Sequence, residues 1–240
     1  MIKRDTELQI TSEPAIAYST CYRLPFLSLF HADCMEIMKQ YPDKYFDLAI
    51  VDPPYGILNK TKRGGQRSPH KYRVRSETWD YIPEKEYWTE LFRVSKNQIV
   101  CGGNYFTEFL FPNNAWIFWY KHQPVDNYAD GEFLWTSFLN KQGKCFDYMY
   151  YGAINSAKDR FHPTQKPTKL YDWIFKNYAK EGDLILDTHF GSGSIALAVD
   201  KANRLDKMNL HLTACEIDKE YIDKAIKRIS ESIKQGTLSF

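Results

Sequence analysis

Two adjacent prolines after an apolar run constrain the fold of this chain more than any other feature. Residues 46–51 read Phe-Asp-Leu-Ala-Ile-Val, a short run typical of a buried strand, and Asp52-Pro53-Pro54-Tyr55 follows at once. Proline has no backbone N–H to donate to a neighbouring strand, so two in a row cannot continue the centre of a sheet. The chain must therefore leave the sheet at residue 52. We call residues 52–55 the acidic proline turn.

The same pattern of a strand followed by a turn recurs later in the chain. Residues 183–187 form an apolar run that leads into Gly191-Ser192-Gly193-Ser194, and a further run at 211–216 ends in Glu216. Strands are also predicted at 98–101 and 115–120. We call residues 187–194 the glycine turn.

Helical patterns lie between these strands. Isoleucines at 222, 226, 229 and 233 form one apolar stripe, which predicts a helix that Asp218 caps and Gly236 stops. The other predicted helices cover residues 34–41, 84–96, 167–180 and 194–204. Alternating strands and helices predict an α/β fold with a mixed, mostly parallel sheet and helices on both faces.

Length and composition indicate a single globular core. The chain has 240 residues, of which 43% are hydrophobic, and this fraction excludes general disorder. No apolar run reaches the roughly 18 residues of a membrane span, and the first residues do not resemble a signal peptide. The five cysteines are odd in number and form no CxxC pair, which argues against a disulfide framework and against a metal site. We expect a cytoplasmic protein.

A basic segment follows the acidic proline turn, although the net charge of the whole chain is only +2. Between residues 60 and 75 there is no acidic residue, and glycine and proline indicate a loop. An isolated charged loop is usually a solvated surface, but its position beside the turn favours contact with phosphates. Its basic residues are Lys60, Lys62, Arg63, Arg67, Lys71, Arg73 and Arg75.

The glycine turn has the features of a nucleoside-cofactor site. Glycines let the backbone approach a ligand closely, and a helix N-terminus offers free amides. Glu216 ends the next predicted strand, where a carboxylate can accept hydrogen bonds from both ribose hydroxyls. The spacing Gly191-x-Gly193-x-x-Ala196 also fits a dinucleotide fingerprint, so the pattern does not identify the cofactor. A tight turn without a ligand would give the same residues.

The acidic proline turn has a more specific chemistry. It could be only a rigid turn with an aromatic ring packed on it. However, the exocyclic amine of a base is a poor nucleophile, because its lone pair is delocalised into the ring. Asp52 and the carbonyl of Pro53 could accept the two amine hydrogens and stabilise positive charge on the nitrogen as a methyl group arrives. Tyr55 offers a face on which an extruded base can stack.

Together these motifs resemble the β group of S-adenosylmethionine-dependent DNA amino-methyltransferases. In that group the Asp-Pro-Pro-Tyr motif precedes the cofactor glycine motif, as it does here. Residues 161–167, Phe-His-Pro-Thr-Gln-Lys-Pro, and Glu216-Ile217-Asp218 also match in order. Thr188-His189 departs from the family pattern, which usually has a proline after the aspartate. The resemblance extends from about residue 30 to about residue 233 and implies a Rossmann-like methyltransferase fold formed by one domain, residues 1–240.

The resemblance also implies roles for individual residues. The catalytic set is Asp52, Pro53, Pro54 and Tyr55. Asp33-Cys34 matches the contact to the cofactor's adenine ring, although Asp33-x-x-Glu36 is also the pattern of a helix capping box. Thr164 and Lys166 match the segment that closes on the methionine end of the cofactor. The complete predicted cofactor set is Asp33, Cys34, Asp52, Thr164, Lys166, Asp187, Phe190, Gly191, Ser192, Gly193, Ser194, Glu216 and Ile217.

The expected partner is double-stranded DNA, contacted by a basic loop at about 56–80. A short segment at about 137–161 combines basic residues with tyrosines and is a candidate for base recognition. A tyrosine-rich hairpin packed on the sheet explains it equally well. Dimerisation is common among similar enzymes, so a homodimer and a restriction-enzyme partner are both candidates, and the sequence does not decide either.

Four functions fit the sequence to different degrees. DNA adenine N6 methylation is preferred, because relatives that act on cytosine N4 more often have serine in place of Asp52. Cytosine N4 methylation is the alternative, and RNA or single strands would suit the same turn. An NAD-dependent oxidoreductase leaves the acidic proline turn unexplained. A non-catalytic DNA-binding module would not need that turn.

The basic loop gives a first prediction. Replacing Arg63 and Arg67 with alanine should weaken DNA binding and reduce the salt dependence of the affinity. The log–log slope should fall by about one unit for each phosphate that the variant no longer binds. Binding to duplex DNA over a series of salt concentrations measures both quantities. An unchanged affinity and slope would contradict a role for the loop in phosphate binding.

Overall fold

The computed structural model describes residues 21–57, 80–124, 126, 128–150, 161–162 and 165–237. Within these ranges the strands are β1 (Tyr22–Leu24), β2 (Leu27–His31), β3 (Phe46–Val51), β4 (Ser95–Cys101), β5 (Ile117–Tyr120), β6 (Gly131–Thr136), β7 (Lys144–Asp147), β8 (Leu184–Asp187) and β9 (His211–Glu216). The helices are α1 (Cys34–Met38), α2 (Lys85–Val94), α3 (Thr168–Tyr178), α4 (Ser194–Asp206) and α5 (Lys219–Thr237).

The described strands form one sheet in the order β1-β2-β9-β8-β3-β4-β6-β5-β7. Neighbours from β2 to β4 run parallel, and β5 and β7 are also parallel to each other. Strand β1 is antiparallel to β2, and β6 is antiparallel to both of its neighbours. The predicted mixed, mostly parallel sheet is therefore confirmed.

Helices cover both faces of the sheet, as predicted. Along β3 the side chains alternate between two apolar clusters. Leu48 and Ile50 join a cluster with residues of α3, α4 and α5, whereas Ala49 and Val51 join a cluster with residues of α1 and α2. This alternation follows from the two-residue repeat of a strand and explains why β3 is apolar on both faces.

The parallel strands place the turns of interest at one edge of the sheet. The order runs outward from β3 to β4 on one side and from β8 to β9 on the other, so the direction of winding changes between β3 and β8. In open α/β sheets a crevice forms at such a switch point, beyond the carboxyl ends of the strands. The acidic proline turn follows β3 and the glycine turn follows β8, so both face that crevice.

Several predicted boundaries differ from the structure. Helix α1 ends at Met38 rather than at residue 41, since Lys39 to Tyr41 form turns. Helix α5 begins as predicted, with Asp218 Oδ1 accepting from Glu220 N at 2.8 Å, but it continues through Gly236 instead of stopping there. The sequence did not predict β1, β2, β6 or β7. No helix in the described part of the chain is both long and apolar enough to cross a membrane.

Gly102, directly after β4, holds the chain close to the acidic proline turn. Its φ is +65°, and a Cβ atom there would lie 2.5 Å from Tyr55 Cε1. Gly182 is a matched control, because its φ is +81° but nothing lies within 4 Å of the corresponding Cβ position.

Replacing Gly102 with alanine should therefore cost more than replacing Gly182. Both variants bear the strain of a left-handed backbone, about 1 kcal/mol. The Gly102 variant also clashes with the Tyr55 ring, so its total loss should reach about 2–4 kcal/mol. Urea unfolding measures the free energy of unfolding of each variant. Equal losses would show that the Tyr55 ring can move aside without an energetic cost.

Candidate active site

The acidic proline turn is fixed by hydrogen bonding and aromatic packing. The hydroxyl of Tyr55 donates to Asp52 Oδ1 at 2.5 Å. The Tyr55 ring stacks on Tyr105, with 4.9 Å between ring centroids and 14° between planes, and its edge meets Phe106. Pro53 is buried behind the turn. The carboxylate of Asp52 is thus held at the carboxyl end of β3.

Lys166 connects this turn to the opposite side of the site. Its buried ammonium donates to Asp52 Oδ2 at 2.8 Å and to Tyr55 Oη at 3.2 Å. Glu132 Oε2, on β6, lies 3.5 Å from the same nitrogen. The other oxygen of Glu132 pairs with Lys121. We call Asp52, Tyr55, Lys121, Glu132 and Lys166 the ion cluster.

Lys166 and Glu132 are held in their charged forms because oppositely charged neighbours outweigh their burial. Burial disfavours the charged form of Lys166, but Asp52 and Glu132 outweigh burial and hold the pKa of the ammonium well above its usual range. Burial would likewise raise the pKa of Glu132, but Lys166 and Lys121 hold it below the ordinary value. Two cations and two anions in contact leave the cluster without net charge.

The glycine turn combines two left-handed glycines with a buried carboxyl group. Gly191 and Gly193 have φ values of +51° and +69°, and α4 begins directly after them. Asp187 Oδ1 accepts from His189 N at 3.0 Å, which fixes the residues before the glycines. Burial raises the pKa of Asp187 to about 8 and lowers the pKa of His189 to about 4. The His189 ring is therefore neutral at pH 7.

Glu216 closes the glycine turn from the neighbouring strand. Its Oε2 accepts from Gly191 N at 2.8 Å, and its Oε1 accepts from Asp218 N at 2.9 Å. Burial raises the pKa of Glu216. Each carboxylate oxygen has two acceptor positions, so both can still accept a hydroxyl donor. Ile217 next to it is 65% exposed and offers an apolar surface.

Both turns face one cavity of about 670 Å³. The predicted site residues that line it are Asp52, Pro53, Pro54, Tyr55, Lys166, Phe190, Gly191, Ser192, Ser194, Glu216 and Ile217. Asp33 and Cys34 instead line an adjoining cavity of about 330 Å³, and Pro54, Tyr81 and His189 border both cavities. The sequence-predicted residues thus meet in two contiguous spaces.

Two predicted cofactor residues support the cavity without lining it. Asp187 is buried at the start of the glycine turn. A Cβ atom on Gly193 would come within 3.1 Å of the Phe190 ring. Asp33 caps α1, with Oδ1 accepting from Met35 N at 2.8 Å. This bond is the N-cap part of the predicted capping box.

Some predictions fall outside the described residues. They concern Thr164, residues 151–160 of the candidate recognition segment, and all seven basic residues of the loop, Lys60, Lys62, Arg63, Arg67, Lys71, Arg73 and Arg75. The described half of the recognition segment packs on the protein. β7 joins the sheet edge parallel to β5, and the Tyr150 hydroxyl donates to the Gln165 carbonyl at 3.1 Å.

Sequence reasoning missed Lys121, Glu132 and Tyr105. The signal for Glu132 was its position directly before the apolar run Phe133-Leu134-Trp135. A charge on a half-buried strand needs a partner. Nothing local indicates which partner it has. Among the described residues, no group of three or more His, Cys, Asp or Glu side chains could hold a metal ion.

A family model described as DNA methylase, of the N6/N4 type, matches residues 105–227, just over half of the chain. The type II methyltransferase M.HinfI of Haemophilus influenzae is 25% identical over 85% of this chain and 68% of its own length. The type II methyltransferase M.ScaI of Streptomyces caespitosus is 23% identical over 87% of this chain and 83% of its own length.

Solved structures show the same fold at lower identity. The complex of M1.HpyAVI with SAM is 20% identical and aligns with a TM-score of 0.54, over 85% of this chain and 98% of that one. The cytosine-N4-specific PvuII DNA methyltransferase is 12% identical, with a TM-score of 0.58 over 92% of this chain and 95% of that one. These likenesses confirm the Rossmann-like methyltransferase fold. With the family match over residues 105–227, they lead to one conclusion: the chain belongs to the N6/N4 family of S-adenosylmethionine-dependent DNA amino-methyltransferases.

Proposed function

We propose that the protein transfers a methyl group from S-adenosylmethionine to the N6 amine of adenine in double-stranded DNA. The observation that carries this proposal is the position of the Asp52 carboxylate, which lines the same cavity as the glycine turn and Glu216. An acceptor for amine hydrogens and a nucleoside site therefore share one space. The proposal extends the family's chemistry to a particular base and to particular residues.

The chemistry of the cavity fits S-adenosylmethionine. Glu216 offers acceptors for ribose hydroxyls, Ile217 offers an apolar face, and Asp33 and Cys34 border the adjoining space where an adenine ring would lie. A volume of about 670 Å³ lies within the roughly 300–1,000 Å³ of small-molecule sites. When bound, this cofactor supplies a methyl group activated by a sulfonium. The assignment of all thirteen predicted cofactor residues, Thr164 included, stays a proposal.

Asp52 acts as the acceptor for the target amine. Its Oδ1 accepts from Tyr55 and its Oδ2 from Lys166, and the carboxylate lines the cavity with acceptor capacity beyond these two bonds. The Pro53 carbonyl belongs to the same rigid turn and is the candidate for the second amine hydrogen. As the nitrogen bonds to the methyl carbon and the carbon–sulfur bond breaks, the fixed anion stabilises the positive charge on nitrogen. The nitrogen then releases one proton to solvent.

The aromatic pair of Tyr55 and Tyr105 receives the extruded base. A base must leave the duplex for its amine to reach a buried acceptor, and stacking on an aromatic ring offsets part of the lost stacking in DNA. Tyr105 is 43% exposed beside the ring of Tyr55. Tyr55 lines the cavity next to Asp52, and Tyr105 packs against its ring.

The basic loop at about 56–80 supplies the contacts to the DNA backbone. Its described flanks meet at the cavity, since Asp80 Oδ1 accepts from Gly56 N at 3.0 Å and Ile57, Asp80 and Tyr81 line the cavity wall. Phosphate contacts here would hold the duplex where one base can enter.

We further propose that the chain acts in the cytoplasm as one domain, as a homodimer, and beside a restriction enzyme.

Asp52 favours adenine over cytosine, because the resemblance associates cytosine N4 transfer with serine at this position. The structural likeness to the cytosine-N4-specific PvuII enzyme keeps cytosine as the second candidate. Both bases present an exocyclic amine, so the base must be identified in the product.

The labelled product tests the reaction and the base together. Methyl-labelled S-adenosylmethionine is incubated with mixed-sequence duplex DNA, and the digested nucleosides are separated. We expect label in N6-methyl-deoxyadenosine. Label in N4-methyl-deoxycytidine would move the assignment to cytosine, and no label in DNA would overturn the proposed function.

In the same assay Asp52→Ala should reduce transfer by at least about a hundredfold, because the fixed acceptor for the amine is removed. Cofactor affinity should fall much less than transfer, since Asp52 is one of thirteen proposed cofactor residues and Asp187, Gly191 and Glu216 remain. Calorimetric titration with S-adenosylmethionine checks this second part. A variant that retains transfer would exclude Asp52 as the acceptor.

Glu216 predicts how cofactor affinity depends on pH. Burial raises the pKa of Glu216, so the carboxylate is lost by protonation at a higher pH than in an exposed glutamate. Affinity for S-adenosylmethionine should therefore fall as pH is lowered through that raised pKa. Glu216→Gln should bind about ten- to a hundredfold more weakly and show a flatter pH dependence.

The matched control is Glu220→Gln on α5, whose exposed carboxylate pairs with Lys224 outside the cavity. It should bind like the wild type at every pH. Calorimetry between pH 5 and pH 8 compares the three proteins. Equal affinities for all three would exclude Glu216 from the ribose site.

A further inference from the structure

The acceptor proposed for the target amine is occupied in this structure by a cation. Lys166 Nζ lies 2.8 Å from Asp52 Oδ2, and both side chains are largely shielded from solvent. An ammonium on this oxygen holds the carboxylate in place. It also weakens that oxygen as an acceptor for an incoming amine, because the ammonium and the amine would share the negative charge of one carboxylate oxygen.

A second acceptor for Lys166 lies directly beside the first. Glu132 Oε2 is 3.5 Å from Lys166 Nζ, is buried, and accepts no hydrogen bond within the described part of the chain. A buried carboxylate oxygen without a hydrogen bond is costly, so it gains when an ammonium approaches. A shift of less than an ångström would turn the 3.5 Å contact into a hydrogen bond of ordinary length.

The rest of Glu132 is held firmly. Its Oε1 pairs with Lys121, whose ammonium lies 4.3 Å from the centroid of the Trp119 ring. Trp119 and Glu132 are register partners on β5 and β6. Glu132 is thereby fixed on the sheet, so any movement between it and Lys166 must come from the lysine.

We propose that Glu132 is a positioning residue that draws the Lys166 ammonium away from Asp52 Oδ2 when the target amine enters. Lys166 orients Asp52 before the base arrives, and the free oxygen of Glu132 then takes the ammonium. The cation stays paired throughout, and Asp52 Oδ2 is left to the amine alone at the moment of transfer. This inference rests on the proposed function, since it concerns the same transfer.

Glu132→Gln tests the inference, with Asp47→Asn as the matched control. Asp47 lies on β3 near the end remote from Asp52, is 29% exposed like Glu132, and pairs with Lys96 at 2.6 Å. We expect Glu132→Gln to lower kcat by about tenfold to a hundredfold, by analogy with the loss seen when a residue that orients a metal ligand is removed. KM for DNA and cofactor should stay near wild type. Asp47→Asn should leave all three values unchanged.

A conservative variant and a double mutant make the test specific. Glu132→Asp keeps the charge and should recover part of the kcat that Glu132→Gln loses. In a Lys166→Met background, Glu132→Gln should have little further effect, because no ammonium remains to be drawn away. Urea unfolding of the four proteins of this cycle shows that each variant folds and measures the coupling of Glu132 with Lys166.

The outcomes separate this inference from the proposed function. A wild-type protein without methyl transfer overturns the proposed function and the inference with it. If the wild type is active, the inference alone is overturned when Glu132→Gln behaves like Asp47→Asn or raises KM at constant kcat. Independent effects of Glu132 and Lys166 in the cycle would also overturn it.

Discussion

The buried ion pair between Lys166 and Asp52 is the interaction on which the arrangement of the site depends. It joins residues 114 positions apart and connects the segment before α3 to the end of β3. Burying two charges is expensive unless each remains paired and hydrogen-bonded. Tyr55 and Glu132 meet that condition, since the first donates to Asp52 and the second balances Lys166. The acidic proline turn therefore holds its carboxylate through tertiary contacts as well as through proline stiffness.

The sheet makes this pairing possible by ending its parallel strands at one edge. β3 delivers Asp52, β8 delivers the glycine turn, and β9 delivers Glu216, because parallel strands present their carboxyl ends together. β6 runs in the opposite direction, so it brings Glu132 to the same edge near its beginning instead of its end. The antiparallel strand thus adds the counter-charge that the parallel strands lack.

These topological differences explain how much the sequence could predict. β3, β8 and β9 carry local signals, since each is a short apolar run that ends in proline, glycine or a lone acid, and the site residues on them follow directly. Lys121 and Tyr105 give no such signal, and for Glu132 the sequence shows a charge on a strand but not its partners. Their roles arise from the register of β5 and β6 and from Tyr55 packing on the loop after β4. β1 and β2 were missed because Pro25 lies between them and Ser28 divides the apolar residues of this segment into two short pairs.

Different environments divide the acids of the site into different roles. Asp187 is buried away from cations, and burial raises its pKa to about 8, so it is largely neutral at pH 7 and supports the turn through His189 N. Asp52 instead contacts the Lys166 ammonium, which compensates its negative charge. Burial thus removes the negative charge from the base of the glycine turn, whereas Asp52, where the proposed reaction develops positive charge, lies within the ion cluster.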